Sequence, residues 1–228
     1  MAFAGAGLTM LTLVAGPARA VPIKQLGFLV DSSGSIGSTN FGTMRDGIAA
    51  AFNAVLPTDG SVEVTLVRFA SGATTVVTPT VIDSAATRTS VASLVSGMGY
   101  TGGGTAMSAG INTLTSQITA SANYVGTGNN DIIYNIATDG APNSQSATIA
   151  ARNEAINIGL DEFDAEFIGN VGTSGYNFLL NSLVYPQPGH QAPPYSPGFV
   201  VPVSFANFES AYQSKLSAIV NPSIPEPG

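Results

Sequence analysis

The stretch Gln25–Ser35, QLGFLVDSSGS, joins an apolar run to an abrupt polar ending. The run is almost wholly apolar up to Asp31, and a continuous run of this kind is typical of a strand buried on both faces of a sheet. Small hydroxyl and glycine residues follow, and then an amphipathic pattern with helical spacing over Asn40–Leu56. The stretch therefore predicts a buried strand that ends in an acid and leads through a tight turn into a helix.

The same arrangement recurs at Asp131–Asp139, DIIYNIATD, another buried run that ends in an acid. Strand and helix patterns alternate around the two runs, and the Ser71-Gly72 turn predicts a hairpin. The predicted strands are Gln25–Asp31, Val62–Phe69, Thr74–Ile82, Asp131–Asp139, Phe163–Ile168 and Phe199–Val203. The predicted helices are Asn40–Leu56, Thr87–Met98, Met107–Ile118, Ser146–Ile158, Tyr176–Val184 and Phe205–Ile219. The order predicts an α/β fold: a doubly wound, mostly parallel sheet with one antiparallel edge strand and helices on both faces.

Composition excludes several classes of function. The 228 residues are 44% hydrophobic and only 9% charged, with 7 Lys and Arg against 14 Asp and Glu. A net charge of −7 leaves too few cations for a nucleic-acid surface. The sequence contains no cysteine and a single histidine, His190, so zinc–thiolate sites, thiolate catalysis and multi-histidine sites are excluded. Any metal site must therefore use oxygen ligands.

Oxygen donors collect at three predicted turns from strand or loop into helix. Asp31, Ser33 and Ser35 follow the first strand at alternate positions, Thr105 follows a run of three glycines, and Asp139 follows the fourth strand. In a doubly wound sheet such turns meet at the carboxyl ends of the strands, where the strand order reverses. Two carboxylates and three hydroxyls suit Mg²⁺, Mn²⁺ or Ca²⁺, and they leave coordination positions for water or an incoming acid.

These residues resemble the metal-ion-dependent adhesion site of the von Willebrand factor type A family. Asp31, Ser33 and Ser35 match its D-x-S-x-S motif, Thr105 its isolated threonine, and Asp139 the aspartate of its T-D-G motif. The resemblance extends over about residues 25–220. It implies a six-stranded Rossmann-like fold with one antiparallel edge strand.

The resemblance also implies a function. A Mg²⁺ or Mn²⁺ ion, with Ca²⁺ as a further candidate, would be held by these five residues, directly or through water. Asp139 would act chiefly through water once a ligand is bound. An Asp or Glu of a protein or extracellular-matrix partner would complete the coordination. The expected protein is a monomeric adhesion module and not an enzyme, with no membrane span in its mature chain.

Two alternatives remain open from the residues alone. One is a structural envelope or matrix protein with a vestigial metal site. The other is a Mg²⁺-dependent phosphoryl-transfer enzyme, in which Gly102–Gly104 would cradle a phosphate and Asp31 would accept it. Against the enzyme, the sequence contains neither G-x-x-x-x-G-K-[ST] nor G-x-S-x-G, and Ser33 stands where a second acid is expected.

The ends of the chain predict export from a bacterial cell. Residues 1–20 have the apolar core and the Ala18-Arg19-Ala20 ending of a signal peptide. Residues 21–220 form the expected type A domain. The proline-rich tail 221–228 contains Pro225-Glu226-Pro227, which resembles the start of a PEP-CTERM sorting signal. The expected location is extracellular or in the cell envelope.

Two loops receive opposite predictions. Gly169–Gly175 follows a predicted parallel strand, so it should border the metal face, where Asn170, Thr173 and Tyr176 would help to select the ligand. The segment Tyr185–Phe199 precedes a strand and should be a rigid surface connection on the opposite side.

Overall fold

The computed structural model describes residues 23–127 and 131–220, which form one six-stranded sheet between two layers of helices. The predicted signal peptide and tail lie outside the described residues. The strands are β1 Lys24–Asp31, β2 Val62–Phe69, β3 Ala73–Val81, β4 Ile132–Thr138, β5 Leu160–Ile168 and β6 Val200–Val203. The helices are α1 Ser38–Val55, α2 Ala85–Ser96, α3 Met107–Ala120, α4 Gln145–Asn157, α5 Ser174–Phe178 and α6 Phe208–Val220.

The strand order is β3-β2-β1-β4-β5-β6, with β3 antiparallel to β2 and every other pair parallel. The chain first builds the sheet outward from β1 to β3 and then crosses over to β4 on the other side of β1. The predicted fold class, a doubly wound sheet with one antiparallel edge strand, is therefore confirmed. The order reverses between β1 and β4, and a doubly wound sheet opens a crevice at such a point.

Burial explains why the strands have these sequences. Every residue of β4 is buried, and so is every residue of β1 after Lys24, because helices cover both faces of the central strands. Helices α1, α2 and α6 pack on one face, and α3, α4 and α5 on the other. Edge strand β3 is mostly half-buried and contains Pro79, which an edge strand tolerates.

Two predicted helices differ in detail from the structure. The helix predicted over Tyr176–Val184 begins at Ser174 and widens after Phe178 into a π-helical turn, Leu179–Leu183. The closing helix starts at Phe208, after a short 3₁₀ turn, Phe205–Asn207. In the described residues no helix has both the length and the apolar character needed to cross a membrane.

A row of charged groups lies buried between β5 and α6. Asp164 and Glu166 of β5 and Lys215 of α6 all have 0% relative exposure. The Lys215 ammonium forms an ion pair with Glu166 Oε1, and Asn135 Nδ2 donates to Glu166 Oε2 at 2.9 Å. Asp164 Oδ1 accepts the backbone N–H groups of Gly198 and Phe199 at 3.2 and 3.1 Å. The ion pair of Lys215 with Glu166 ties the closing helix to the sheet, and Asp164 holds the segment that precedes β6.

Asp164→Asn is expected to stabilise the protein at neutral pH. Burial, followed by the nearby charge of Glu162, raises the pKa of Asp164 well above its usual range. The folded state therefore binds this proton more tightly than the unfolded chain does, and the parent loses stability as pH rises above the unfolded pKa of about 3.9. The asparagine oxygen can still accept both backbone N–H groups. The expected gain at pH 7 is about 1 kcal/mol, or roughly 2–4 °C in melting temperature.

Melts of both proteins between pH 4 and pH 8 test this expectation. The gain should grow with pH and be smallest at pH 4. A gain that shrank as pH rose would contradict the assigned direction of the pKa.

The segment 185–199 lies at the amino ends of the strands. Its Tyr195 and Pro197 line a cavity of about 280 Å³ together with Lys24, Asp131 and Asp161. This end of the sheet is opposite the carboxyl ends that carry the acids Asp31 and Asp139, as the sequence predicts for this connection.

Candidate cation site

The two site carboxylates lie on neighbouring strands at the carboxyl edge of the sheet. Asp31 is the last residue of β1, and Asp139 directly follows β4. The parallel register pairs Val30 with Ala137, so both strands end at the same level. The site therefore lies at the point where the strand order reverses.

Hydrogen bonds join four of the five predicted ligands into one chain. The Ser33 backbone N–H donates to Asp31 Oδ1 at 2.7 Å, and the Ser33 and Ser35 hydroxyls are 3.2 Å apart. Ser35 Oγ then donates to Asp139 Oδ1 at 2.7 Å. The turn after β1 thus bends back across the end of β4 and brings the two acids to one site.

Thr138 holds the second oxygen of Asp31. Its hydroxyl donates to Asp31 Oδ2 at 2.6 Å, inside the protein. The prediction treated Thr138 only as part of a T-D-G motif and gave it no role. A threonine one residue before a ligand acid carries no signal of this contact in the sequence, because the contact depends on β4 pairing with β1.

The glycine-rich loop is fastened to the turn after β1. The Gly34 N–H donates to Gly103 O at 2.8 Å, and the Gly102 N–H donates to Ser32 O at 2.9 Å. Gly103 has φ +93°, a conformation that favours glycine, and a Cβ there would collide with Ser71 Oγ. Gly103 is therefore required by its backbone conformation and by the Ser71 side chain that packs against it.

Thr105 is positioned by a residue that the prediction missed. Asn143 lies in the loop after β4. Its side-chain Oδ1 accepts the backbone N–H of Thr105 at 2.9 Å, and its backbone N–H donates to the Thr105 carbonyl at 2.9 Å. Thr105 is 9% exposed. Within residues 23–127 and 131–220, no hydrogen bond uses its side-chain hydroxyl, so this oxygen is available as a ligand.

Burial disfavours the charged forms of both acids. Asp31 is fully buried, and burial, with a smaller contribution from the Asp139 charge, raises its pKa to about 6. Burial also raises the pKa of the half-buried Asp139. A divalent cation between the two carboxylates would offset both the burial and the repulsion. The electrostatics of the site therefore fit a cation.

The donor set also fits a hard cation. Among the described residues, no three His, Cys, Asp or Glu side chains gather around a common point. A metal ion at this edge would be coordinated by two carboxylates and three hydroxyls, a set of ligands that suits Mg²⁺ and Mn²⁺.

The loop after β5 meets the site only in part as predicted. Gly175 packs against the backbone of Gly140 and Ala141, so the loop borders the turn that carries Asp139. Asn170 and Thr173 are exposed.

The prediction for Tyr176 was wrong: this side chain is 4% exposed and its hydroxyl donates to Gln191. Its apolar ring packs against Phe167 in the core, which removes it from the binding surface.

Comparison with known proteins identifies the family. The sequence profile of the von Willebrand factor type A domain matches residues 25–162, more than half of the chain. No curated protein sequence matches the chain.

Solved structures share the fold at low sequence identity. The von Willebrand factor type A protein from Catenulispora acidiphila is 16% identical, with a TM-score of 0.62 over 86% of this chain and 42% of that chain. Manganese-loaded TRAP from Plasmodium vivax is 19% identical, with a TM-score of 0.59 over 86% and 74%. Proximal thread matrix protein 1 from the mussel byssus, with a zinc-occupied MIDAS motif, is 16% identical, with a TM-score of 0.61 over 85% and 47%. The chain thus spans less than half the length of the first and third of these proteins.

Proposed function

Since the chain belongs to the von Willebrand factor type A family, whose domains are mostly adhesion and binding modules, we propose that it is an exported, monomeric binding domain. A divalent cation, Mg²⁺ or Mn²⁺ in the first place, would be held by five residues and would bind an acidic group of a protein or matrix partner. These residues are Asp31, Ser33, Ser35, Thr105 and Asp139. When bound, the cation supplies a Lewis-acid position for a carboxylate oxygen.

One observation carries the proposal. The hydrogen bonds from Asp31 through Ser33 and Ser35 to Asp139 gather four oxygen-bearing side chains at the switch point of the sheet. Thr138 and Asn143 fix the orientation of Asp31 and the backbone of Thr105. Ligands that are oriented in advance lose less freedom when a cation binds. The same residues would position the cation for a ligand arriving from solvent.

The phosphoryl-transfer alternative has few backbone donors left, because four of the five N–H groups of residues 101–105 are already used within the protein. The N–H groups of Thr101, Gly102, Gly104 and Thr105 donate to Ser32 Oγ, Ser32 O, Ser71 Oγ and Asn143 Oδ1, each at 2.9 Å. A phosphate-binding loop must instead direct its backbone N–H groups at the ligand. In this loop those groups already stabilise the fold, which favours binding over phosphoryl transfer.

The proposal predicts cation-dependent binding of carboxylates. A surface densely coated with a C-terminally amidated, glutamate-containing peptide, Ac-GGEGG-NH₂, should bind the protein in Mn²⁺, whereas the glutamine peptide Ac-GGQGG-NH₂, which has no carboxylate, should not. Surface plasmon resonance measures both. EDTA and Asp139→Ala should each abolish binding. Asp161→Ala, which removes the same charge at the opposite edge of the sheet, should leave it intact. Binding that persisted in EDTA or in Asp139→Ala would favour the structural-protein alternative.

A further inference from the structure

A cavity of about 400 Å³ lies directly beside the candidate cation site. Three parts of the chain line it: Arg68 at the end of β2, residues 70–74 of the hairpin turn and the start of β3, and residues 101–103 of the glycine-rich loop. The same loop continues into Thr105, and its Gly103 carbonyl accepts the N–H of Gly34. The cavity and the predicted ligands therefore share this loop, which places them next to each other on one face of the domain.

Arg68 is the positively charged residue in the lining of this cavity. It pairs in register with Val30, one residue before the level of Asp31. Its guanidinium donates to the Gly99 carbonyl and, at 3.5 Å, to Thr74 Oγ1. In the described part of the chain, no carboxylate lies within ion-pair distance of Arg68. A guanidinium has five N–H donors, so several remain for a ligand.

The rest of the lining suits an anion. It consists of small residues and the hydroxyls of Ser71, Thr74 and Thr101, and contains no acid. Ser71 Oγ accepts the N–H of Gly104, which leaves its own O–H free to donate. The Thr101 hydroxyl already donates to Ser32 Oγ at 3.0 Å, so the ligand would be met chiefly by Ser71 and Arg68. A guanidinium without a carboxylate partner matches the planar, two-oxygen geometry of a carboxylate.

The negative net charge of the chain makes the positive charge of Arg68 important for binding an acidic ligand. The chain carries a net charge of −7, which repels an acidic ligand at long range. Arg45, which donates to the neighbouring carbonyl of Met98, is already paired with Asp46. Within the described residues, Arg68 is thus a positive side chain next to the site that has no carboxylate partner.

We propose that the cavity is a second acid-binding subsite, so that the protein recognises an acidic peptide segment with two carboxylates. One carboxylate completes the cation at Asp31 and Asp139, and the other pairs with Arg68. This inference rests on the proposed function and specifies the ligand class of the same face.

Matched peptides test the inference. One series has a single glutamate flanked by glycines. A second series adds another glutamate one to four residues away, and a third has glutamine in its place. In Mn²⁺, the best two-acid peptide should bind the parent about tenfold more tightly than its glutamine counterpart, as expected for a charge-assisted hydrogen-bonded pair. The quantity compared between variants is this ratio of affinities.

Arg68→Gln should reduce the ratio to about one. Arg152→Gln, with the same change of charge on α4, should keep the parental ratio. Arg68→Lys keeps the charge but loses the two-pronged geometry, so its ratio of affinities should lie between one and the parental value. This variant replaces Arg68→Gln in the test if melting shows that Arg68→Gln is unfolded.

The outcomes separate this inference from the proposed function. The inference is overturned if the parent binds single-acid and two-acid peptides equally well in the presence of the cation. It is also overturned if Arg68→Gln keeps the same ratio of affinities as the parent. In both cases cation-dependent binding of single-acid peptides would leave the proposed function standing. An equal loss in Arg152→Gln also overturns it, because the preference would then be a general charge effect. No cation-dependent binding of any peptide to the parent overturns both.

Discussion

Lys215→Ala should lower the free energy of unfolding by about 3–5 kcal/mol. The substitution leaves the Glu166 carboxyl fully buried, with Asn135 as its hydrogen-bond donor but without the ammonium. The Lys215 ammonium also lies 4.7 Å from the centre of the Tyr212 ring, and this contact is lost as well. Because whole domains are stable by only about 5–15 kcal/mol, the variant should unfold at a much lower urea concentration.

Two further variants identify the cause. Lys24→Ala removes a lysine that pairs with the largely exposed Asp131 at 3.7 Å and donates to the Ile219 carbonyl at 2.9 Å. Because this ammonium leaves no buried charge behind, the change should cost about 1–2 kcal/mol, less than Lys215→Ala. The double variant Lys215→Met with Glu166→Gln replaces both charges and should recover most of the lost stability. If the double variant is no more stable than Lys215→Ala, packing and not the uncompensated charge is responsible.

A bound cation should raise the melting temperature of the parent and leave that of Asp139→Ala unchanged. A ligand that binds only the folded state adds about 2.7 kcal/mol at a hundredfold excess over Kd. For a domain of this size that corresponds to roughly 5–11 °C. Melts of residues 21–228 in EDTA, Mg²⁺, Mn²⁺ and Ca²⁺ measure the shift and rank the cations.

The metal-free proteins provide an internal check. In EDTA, Asp139→Ala loses the Ser35 hydrogen bond but also loses the repulsion between two carboxylates, so it should be within about 1 kcal/mol of the parent. Asp161→Ala should keep the full response to cations. Equal shifts in the parent and in Asp139→Ala would show that the cations act elsewhere.

The sequence predicted the sheet because its central strands have an unambiguous pattern. The runs ending at Asp31 and Asp139 are almost wholly apolar, since β1 and β4 are covered on both faces. The hairpin of β2 and β3 was predicted from a local turn signal at Ser71-Gly72. Local patterns of this kind need no knowledge of the partner strand.

Contacts between residues that lie far apart in the chain could not be predicted from the sequence. Thr138 and Asn143 lie 107 and 38 residues away from the partners they hold, and each looks like an ordinary loop or strand-end residue. Lys215 looks like a surface residue of an amphipathic helix, and only the position of α6 over Glu166 explains its burial. Tyr176 was misjudged because loop position alone does not reveal which way an aromatic side chain points.

The most direct test of the account is anomalous diffraction from crystals of the parent grown in Mn²⁺. We expect one manganese peak among the oxygens of Asp31, Ser33, Ser35, Thr105 and Asp139, and no peak at that position in Asp139→Ala. A parent crystal saturated with Mn²⁺ but without a peak among these residues, or with its peak elsewhere, would contradict the account.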